Sequence, residues 1–271
     1  MADWLNILID CAGNMKSAAV PLFGSSEARD GFGRGAGGDI KKRIDLAAED
    51  ALIQTLKKRD ASCTLISEEA GVKLIGANPA EFYVVADPVD GTANAVRGLP
   101  FVAISLAVSR KPMLSDVEVA LVADLMRNTT YTAEKGKGAH RNGTRIKPSG
   151  TVKLEEAFVG VDFSTFQARQ LVDQLAGVLK RTRHLRHLGA NALEICYVAD
   201  GTSDAFIDIR GKLRVTDIAA AYLILLEAGG VFTTPEGNKL DAQLDPKQRV
   251  SLIAAANKSM HNTIVNMIRK R

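Results

Sequence analysis

A layered α/β fold is expected for this chain on three observations. Short β-branched and apolar runs, CTLIS at 63–67, FYVVA at 82–86, FVAISLAVS at 101–109 and VEVALVA at 117–123, cluster in one stretch and read as strands of a single sheet. Segments with apolar residues spaced three and four apart flank these runs, as expected of helices packed on a sheet. After Lys147-Pro148-Ser149-Gly150 the same alternation starts again, which marks a boundary between two halves, 1–148 and 149–271.

In chain order, Leu5, Leu8, Ile9, Ala12 and Met15 form the buried stripe of an opening helix that runs toward Val20 and is interrupted at Pro21. The glycine-rich stretch 25–39, SSEARDGFGRGAGGD, has no periodicity and reads as a mobile surface loop, with a helix following over 44–58. The strands come next, and Asn142-Gly143 signals a tight hairpin turn. The second half reads as a strand at 157–161, helices near 167–180 and over 191–199, and a strand at 205–209. A helix over 217–228, a strand at 251–255 and a closing helix over 258–268 complete it.

Composition narrows the function. The 271 residues suffice for one large domain or two intimate halves, so a small disulfide-stapled module is excluded. Hydrophobic residues at 46% and charged residues at 24% exclude a collagenous or largely disordered chain. A net charge of +4 suits an anionic small molecule but is too weak for a nucleic-acid binder. Cys11, Cys63 and Cys196 are odd in number and widely spaced, which argues against a disulfide framework or zinc site and for a reducing, cytoplasmic setting. Asp3 and Asp10 stand where a signal peptide would be positive, and no apolar run reaches the roughly 18 residues needed to cross a bilayer, so neither export nor a membrane partner is expected.

The richest stretch is Val84-Val85-Ala86-Asp87-Pro88-Val89-Asp90-Gly91-Thr92-Ala93-Asn94. An apolar strand ends in two carboxylates on either side of a proline turn, and Pro88 lets Asp87 and Asp90 converge instead of alternating across a strand. Converging carboxylates suit a hard divalent cation, and the free N–H groups of a helix starting near Gly91 and Thr92 suit a phosphate. Taken alone, the string is a pair of turn formers. Ser67-Glu68-Glu69 at the end of CTLIS and Asp217 at the start of a helix add acidic clusters at the ends of apolar elements, which is what a multi-metal Mg2+ site requires.

DPVDGTAN at 87–94, SEE at 67–69, GKGAHRNG at 136–143, GANALEICYVADG at 189–201 and TDIAAAYLILLEAGG at 216–230 resemble, in order, the motifs of the inositol monophosphatase family. Asp39 at the end of the glycine loop, with Asp45 six residues on, is most similar to the archaeal branch acting on fructose 1,6-bisphosphate and inositol monophosphate. The resemblance implies a five-layer αβαβα sandwich and a homodimer. It also implies that Glu68, Asp87 and the Val89 carbonyl hold a first Mg2+ and that Asp87, Asp90 and Asp217 hold a second. Glu68 with Asp39 holds a third, weaker ion, and Mn2+ is a possible substitute metal. Thr92, paired with Asp45, matches the group that orients and deprotonates the attacking water; Glu68 is counted with them as catalytic. The amides of Gly91 and Thr92 match the phosphate cradle, while Asp90, Gly189, Ala190 and Asn191 match the polyol site. Most metal ligands then belong to 1–148, and the substrate-binding residues with the last ligand to 149–271.

The implied activity is hydrolysis of sugar or polyol phosphates by in-line attack of an activated water. Within the family the alternative is a 3'(2'),5'-bisphosphate nucleotidase or NADP phosphatase. From another class, a non-catalytic phosphometabolite-binding protein would need a lost ligand, and all four carboxylates are present. Arg186, near Gly189, is expected to face the pocket. Arg210, with Lys212 and Arg214, either receives the far phosphate of a bisphosphate or offsets the acidic site. The G-x-G-x-x-G pattern from Gly33 to Gly38 lacks a leading strand and is not a dinucleotide site. The basic run 180–187 reads as a solvated helix end, and His140, His184, His187 and His261 lack metal-ligand spacing. Glu69, Glu194 and Glu227 read as supporting or packing residues.

Overall fold

The computed structural model describes residues 3–165 and 168–269. The chain opens with α1 (Trp4–Ala19), capped by Asp3, whose carboxylate accepts the Asn6 N–H at 3.3 Å. A hairpin of β1 (Gly31–Arg34) and β2 (Ile40–Lys42) leads into α2 (Arg43–Lys58). Next come β3 (Cys63–Ser67), β4 (Gly71–Ile75), β5 (Tyr83–Asp90), the short α3 (Thr92–Arg97), β6 (Ala103–Ser109) and β7 (Val117–Asp124). The first half ends in β8 (Thr130–Glu134), β9 (Gly138–Arg141) and β10 (Thr144–Arg145). The second half holds β11 (Phe158–Val161), α4 (Ala168–Arg181), β12 (His184–Arg186), α5 (Asn191–Ala199) and β13 (Ala205–Arg214). It closes with α6 (Val215–Ala228), β14 (Val231–Thr233), β15 (Arg249–Ala255) and α7 (Lys258–Arg269).

These elements stack in five layers. An eight-stranded sheet, order β10-β9-β8-β7-β6-β5-β3-β4, carries α1 and α2 on one face. Its other face packs on α5 and α6, which a five-stranded sheet, order β12-β11-β13-β15-β14, covers in turn; α4 and α7 lie outside. Three apolar layers glue the stack. α6 is the innermost element, and its run Val215 to Leu225 is buried on all sides, which explains why its sequence is apolar all round instead of amphipathic. Cys11, Cys63 and Cys196 are free and buried in these layers. Among the described residues no helix is long and apolar enough to cross a membrane.

The structure departs from the sequence expectations at identifiable places. The glycine stretch is a hairpin whose tip closes on itself, Gly35 N–H donating to Asp39 O at 2.8 Å, and docks on the next strand end through Gly37 N–H to Glu68 O at 3.0 Å. It is therefore a structured arm and not a loop. β5 runs on through Asp87 and Asp90, with a pairing irregularity between them where Pro88 cannot donate. β4, β8, β12 and β14 escape pattern reading because they are short or edge strands with exposed or polar alternation. The expected start of the fourth helix at 167 lies outside the described residues. Asn142 and Gly143, with φ of +49° and +77°, form the two-residue turn between β9 and β10.

Candidate active site

The site lies where strand ends meet helix starts. β3 and β5 are parallel neighbours, so Glu68 and the segment 87–90 emerge on the same side of the sheet. Four helices begin at this edge, each bringing the positive end of its dipole. Asp45 and Asp217 sit at the third position of α2 and α6 and accept the N–H of Lys42 and Arg214, both at 3.1 Å. Asp90 caps α5, accepting from Asn191, Ala192 and Leu193 at 2.9, 2.8 and 3.4 Å. Gly91, with φ of +89°, turns the chain into α3; a Cβ there would lie 3.0 Å from Phe101 O and 3.1 Å from Gly189 O, so only glycine fits. Thr92 follows, its hydroxyl 3.0 Å from both Asp45 Oδ1 and Val89 O.

Together these groups line a cavity of about 670 Å³. Among the described residues, Glu68, Asp87 and Asp217 bring one ligand oxygen each within 4.8 Å of one another. Burial, then repulsion from neighbouring carboxylates, holds the Glu68 and Asp87 carboxyls well above the ordinary range. Burial also raises Asp217 against the pull of Arg214, and it pushes Asp90 up to about 8 and Asp45 up to about 7 despite their hydrogen bonds. Like charges about 4 Å apart repel by roughly 4 kcal/mol each at an effective dielectric of 20. An all-carboxylate donor set under that strain, with no sulfur or imidazole in it, fits a hard divalent cation.

The remaining expected residues fall in different places. Val89, Gly189 and Asn191 line the cavity, and the Asn191 Oδ1 is buried without a hydrogen-bond partner. Ala190 lies behind the wall, fully buried, where it packs against the turn at Gly91. Asp39, on the hairpin, is ion-paired to Arg214 and is not one of the three clustered carboxylates. Arg186 does not face the cavity: its guanidinium lies 5.1 Å over the Phe158 ring on the far side of the second sheet's edge. Arg210 does line the cavity, but it is bound to Asp162 at 2.7 Å and to Asp208 at 2.5 Å, so it is already neutralised. Arg214 takes the offsetting role instead, reaching Asp39 and Glu68.

Sequence reading passed over Lys42, Arg97, Asp162 and Arg249, which also line the cavity. Asp162 carries one usable signal, its place just after a buried strand. Glu194 accepts from Leu188 and Gly189 N–H at 3.2 and 3.0 Å, and Glu227 accepts from Gly136 and Gly138 at 2.8 and 2.9 Å; both tie backbone turns in place.

The inositol monophosphatase family model matches residues 9–271. A fructose-1,6-bisphosphatase/inositol-1-monophosphatase of Methanothermobacter thermautotrophicus is 38% identical over 274 residues, covering 98% of this chain and 96% of that protein. A bifunctional NADP phosphatase/NAD kinase of Methanococcus maripaludis is 36% identical over 99% of this chain, which spans 50% of that longer protein. The crystal structure of an inositol monophosphatase-fructose 1,6 bisphosphatase superposes with a TM-score of 0.86 at 31% identity, covering 98% of this chain and all of that one. A family match over nearly the whole length, with relatives this similar and a shared layered fold, places the chain in the inositol monophosphatase family.

Proposed function

We propose that this protein is a Mg2+-dependent phosphomonoesterase of sugar and polyol phosphates, acting on fructose 1,6-bisphosphate and inositol 1-phosphate. The observation that carries the reading is the convergence of Glu68, Asp87 and Asp217 beside the Thr92–Asp45 pair in one cavity. Glu68, Asp87 and Asp217, with the Val89 carbonyl and Asp90, would hold two to three Mg2+, for which Mn2+ would substitute. When bound, these ions neutralise phosphate oxygens, acidify the attacking water and stabilise the leaving alkoxide.

The chain's own groups do the rest. Asp45 holds the Thr92 hydroxyl at 3.0 Å, leaving its lone pairs to accept a proton from a water in line with the phosphorus. That proton passes through Thr92 Oγ1 to Asp45 Oδ1, whose carboxyl, raised by burial to about 7, is poised to take it near neutrality. The Gly91 and Thr92 amides start α3 without intrahelical acceptors and cradle the phosphate. Asn191 and Gly189 face the polyol, and the unpartnered Asn191 Oδ1 accepts one of its hydroxyls. With Arg210 neutralised and Arg186 outside, Lys212 takes a distal phosphate; Lys42, Arg97 and Arg249 are further cations lining the cavity.

In this reading, 1–148 supplies most metal ligands and 149–271 the substrate wall. The enzyme is a cytoplasmic homodimer serving carbohydrate metabolism, including gluconeogenesis. The alternative, an NADP phosphatase or bisphosphate nucleotidase, draws support from the Methanococcus relative. Phosphate release with and without EDTA, from fructose 1,6-bisphosphate, inositol 1-phosphate, 3'-phosphoadenosine 5'-phosphate and NADP in parallel, decides between them. EDTA-sensitive release from the first two is expected. Release from the nucleotides alone would favour the alternative, and no release from folded, metal-binding protein would favour a binding protein.

A further inference from the structure

Asp87 on β5 and Ser105 on β6 are directly opposed partners in an antiparallel pair, so both side chains stand on the same face of the eight-stranded sheet. The neighbouring pair Val85–Ala107, and Ala103 opposite Asp90, show which face it is: all three belong to the apolar layer packed on α5 and α6. Ser105 is thus a hydroxyl beside a carboxylate in apolar surroundings. It is 1% exposed, and its Oγ is buried with no hydrogen-bond partner. A buried hydroxyl left unpaired is costly and calls for an explanation. Directly opposed residues hold their Cβ atoms about 4.5–5.5 Å apart, a span that a serine hydroxyl crosses to a carboxylate oxygen by one χ1 rotation. Two other carboxylates of the cavity already carry such a hydroxyl. Thr92 donates to Asp45 at 3.0 Å, and Thr216, itself buried, donates to Asp217 at 3.2 Å. Asp87 accepts the Val89 N–H on Oδ1 at 3.1 Å and has Ser105 opposite it.

We propose that Ser105 is a positioning residue for Asp87: its hydroxyl donates to the Asp87 carboxylate when a divalent cation is held there, and fixes the way that carboxylate faces Glu68 and Asp217. The inference rests on the metal-dependent reading. Ser105 does not line the cavity, so it touches neither substrate nor the reacting atoms and acts only through Asp87. A carboxylate held from the neighbouring strand as well as by its own turn has less rotational freedom to lose when an ion binds. Partners of this kind, one shell out from the ion, are worth about 10- to 100-fold in metal affinity.

The test compares the Mn2+ Kd of the full chain, from the free-Mn2+ EPR signal in a titration, with the Tm of the same proteins in EDTA. S105A should bind Mn2+ about 10- to 100-fold more weakly than wild type, yet melt in EDTA at or above the wild-type Tm, because the hydroxyl it removes has no partner there. S105C keeps the side-chain volume with only a weak donor and should also weaken binding. Should S105A fail to fold, S105C decides by the same comparison. Weaker binding that comes only with a lower Tm in EDTA means a packing role, and a wild-type Kd in S105C beside a weakened S105A means volume; either result overturns the proposal. Wild-type protein that binds no Mn2+ overturns the metal-dependent reading and the proposal with it, whereas equal Kd values for wild type and S105A overturn the proposal alone.

Discussion

The two ends of the cavity use the same residue types with opposite charge balance. At one end Glu68, Asp87 and Asp217 crowd their oxygens together, and burial with mutual repulsion raises Glu68 and Asp87 far above the usual carboxylate range. At the other end Asp162 and Asp208 are buried too, but both grip the guanidinium of Arg210, which offsets part of the desolvation that holds the Asp208 carboxyl above its ordinary range. The first end crowds carboxylates that a hard divalent cation would hold together; the second is already neutralised by its own arginine. A buried carboxylate is thus a metal-ligand candidate only where the fold has not supplied an internal cation, and Arg214 shows an intermediate case.

Four substitutions separate the two ends. Asp87→Asn should lower phosphatase turnover by about 10³-fold or more, the scale on which a lost electrostatic stabiliser acts. In EDTA the same variant should melt above wild type, because one buried like charge is gone, and Mg2+ should no longer raise its Tm. Unchanged turnover with an unchanged Mg2+ shift of Tm would remove the metal end from the mechanism. Thr92→Ala should cost roughly 10²- to 10⁴-fold in kcat with little change in KM, the range of a lost proton-transfer group. Its Mg2+-dependent Tm shift should persist, which marks Thr92 as acting on the nucleophile and not on the ions.

At the neutralised end, Arg210→Met leaves two buried carboxylates without their cation and should cost about 3–5 kcal/mol in urea denaturation, as expected for a broken buried pair. A loss below about 1 kcal/mol would mean that solvent, not Arg210, satisfies Asp162 and Asp208. Glu194 is the mildest test, being held by two N–H groups, with Arg210 as its weakest influence. Burial, with Asp162 adding repulsion, raises its carboxyl from 4.5 to about 7. Between those values the folded protein keeps a proton that the unfolded chain releases, so stability present below pH 4.5 falls as pH rises to about 7. Glu194→Gln keeps the acceptor oxygen and should flatten that fall, gaining up to about 3 kcal/mol over wild type at pH 8 relative to pH 4. Parallel stability–pH curves for the two proteins would show that Glu194 does not titrate there.

The part of this molecule legible in sequence was the part written in short-range chemistry. Asp87-Pro88-Val89-Asp90-Gly91-Thr92 could be read because Pro88 fixes one backbone angle and Gly91 permits a left-handed turn, and Asp217 because it opens an apolar helix. The glycine stretch misled because its hairpin is held by docking onto Glu68 and Glu69 backbone, not by any strand-like pattern of its own. The pairing of Asp162, just after a strand, and Asp208, inside one, was illegible because single acidic residues say nothing about which arginine will reach them. Arg186 was misplaced for a similar reason: it neighbours Gly189 in sequence, yet the short strand β12 turns its side chain onto Phe158.

Apolar periodicity, turn residues and helix-start carboxylates were enough to anticipate the alternation of strands and helices and the acidic residues that gather beside the turn at Gly91, because each acts over a few residues of chain. The pairing of charges was decided in space. Arg214 meets Asp39 across 175 positions of sequence, and Asp90 finds the start of α5 across 101. Electrostatic energy depends on distance and burial in the folded chain, so which carboxylates stay open for a cation, and which are silenced by an arginine, emerges only when the five layers stack.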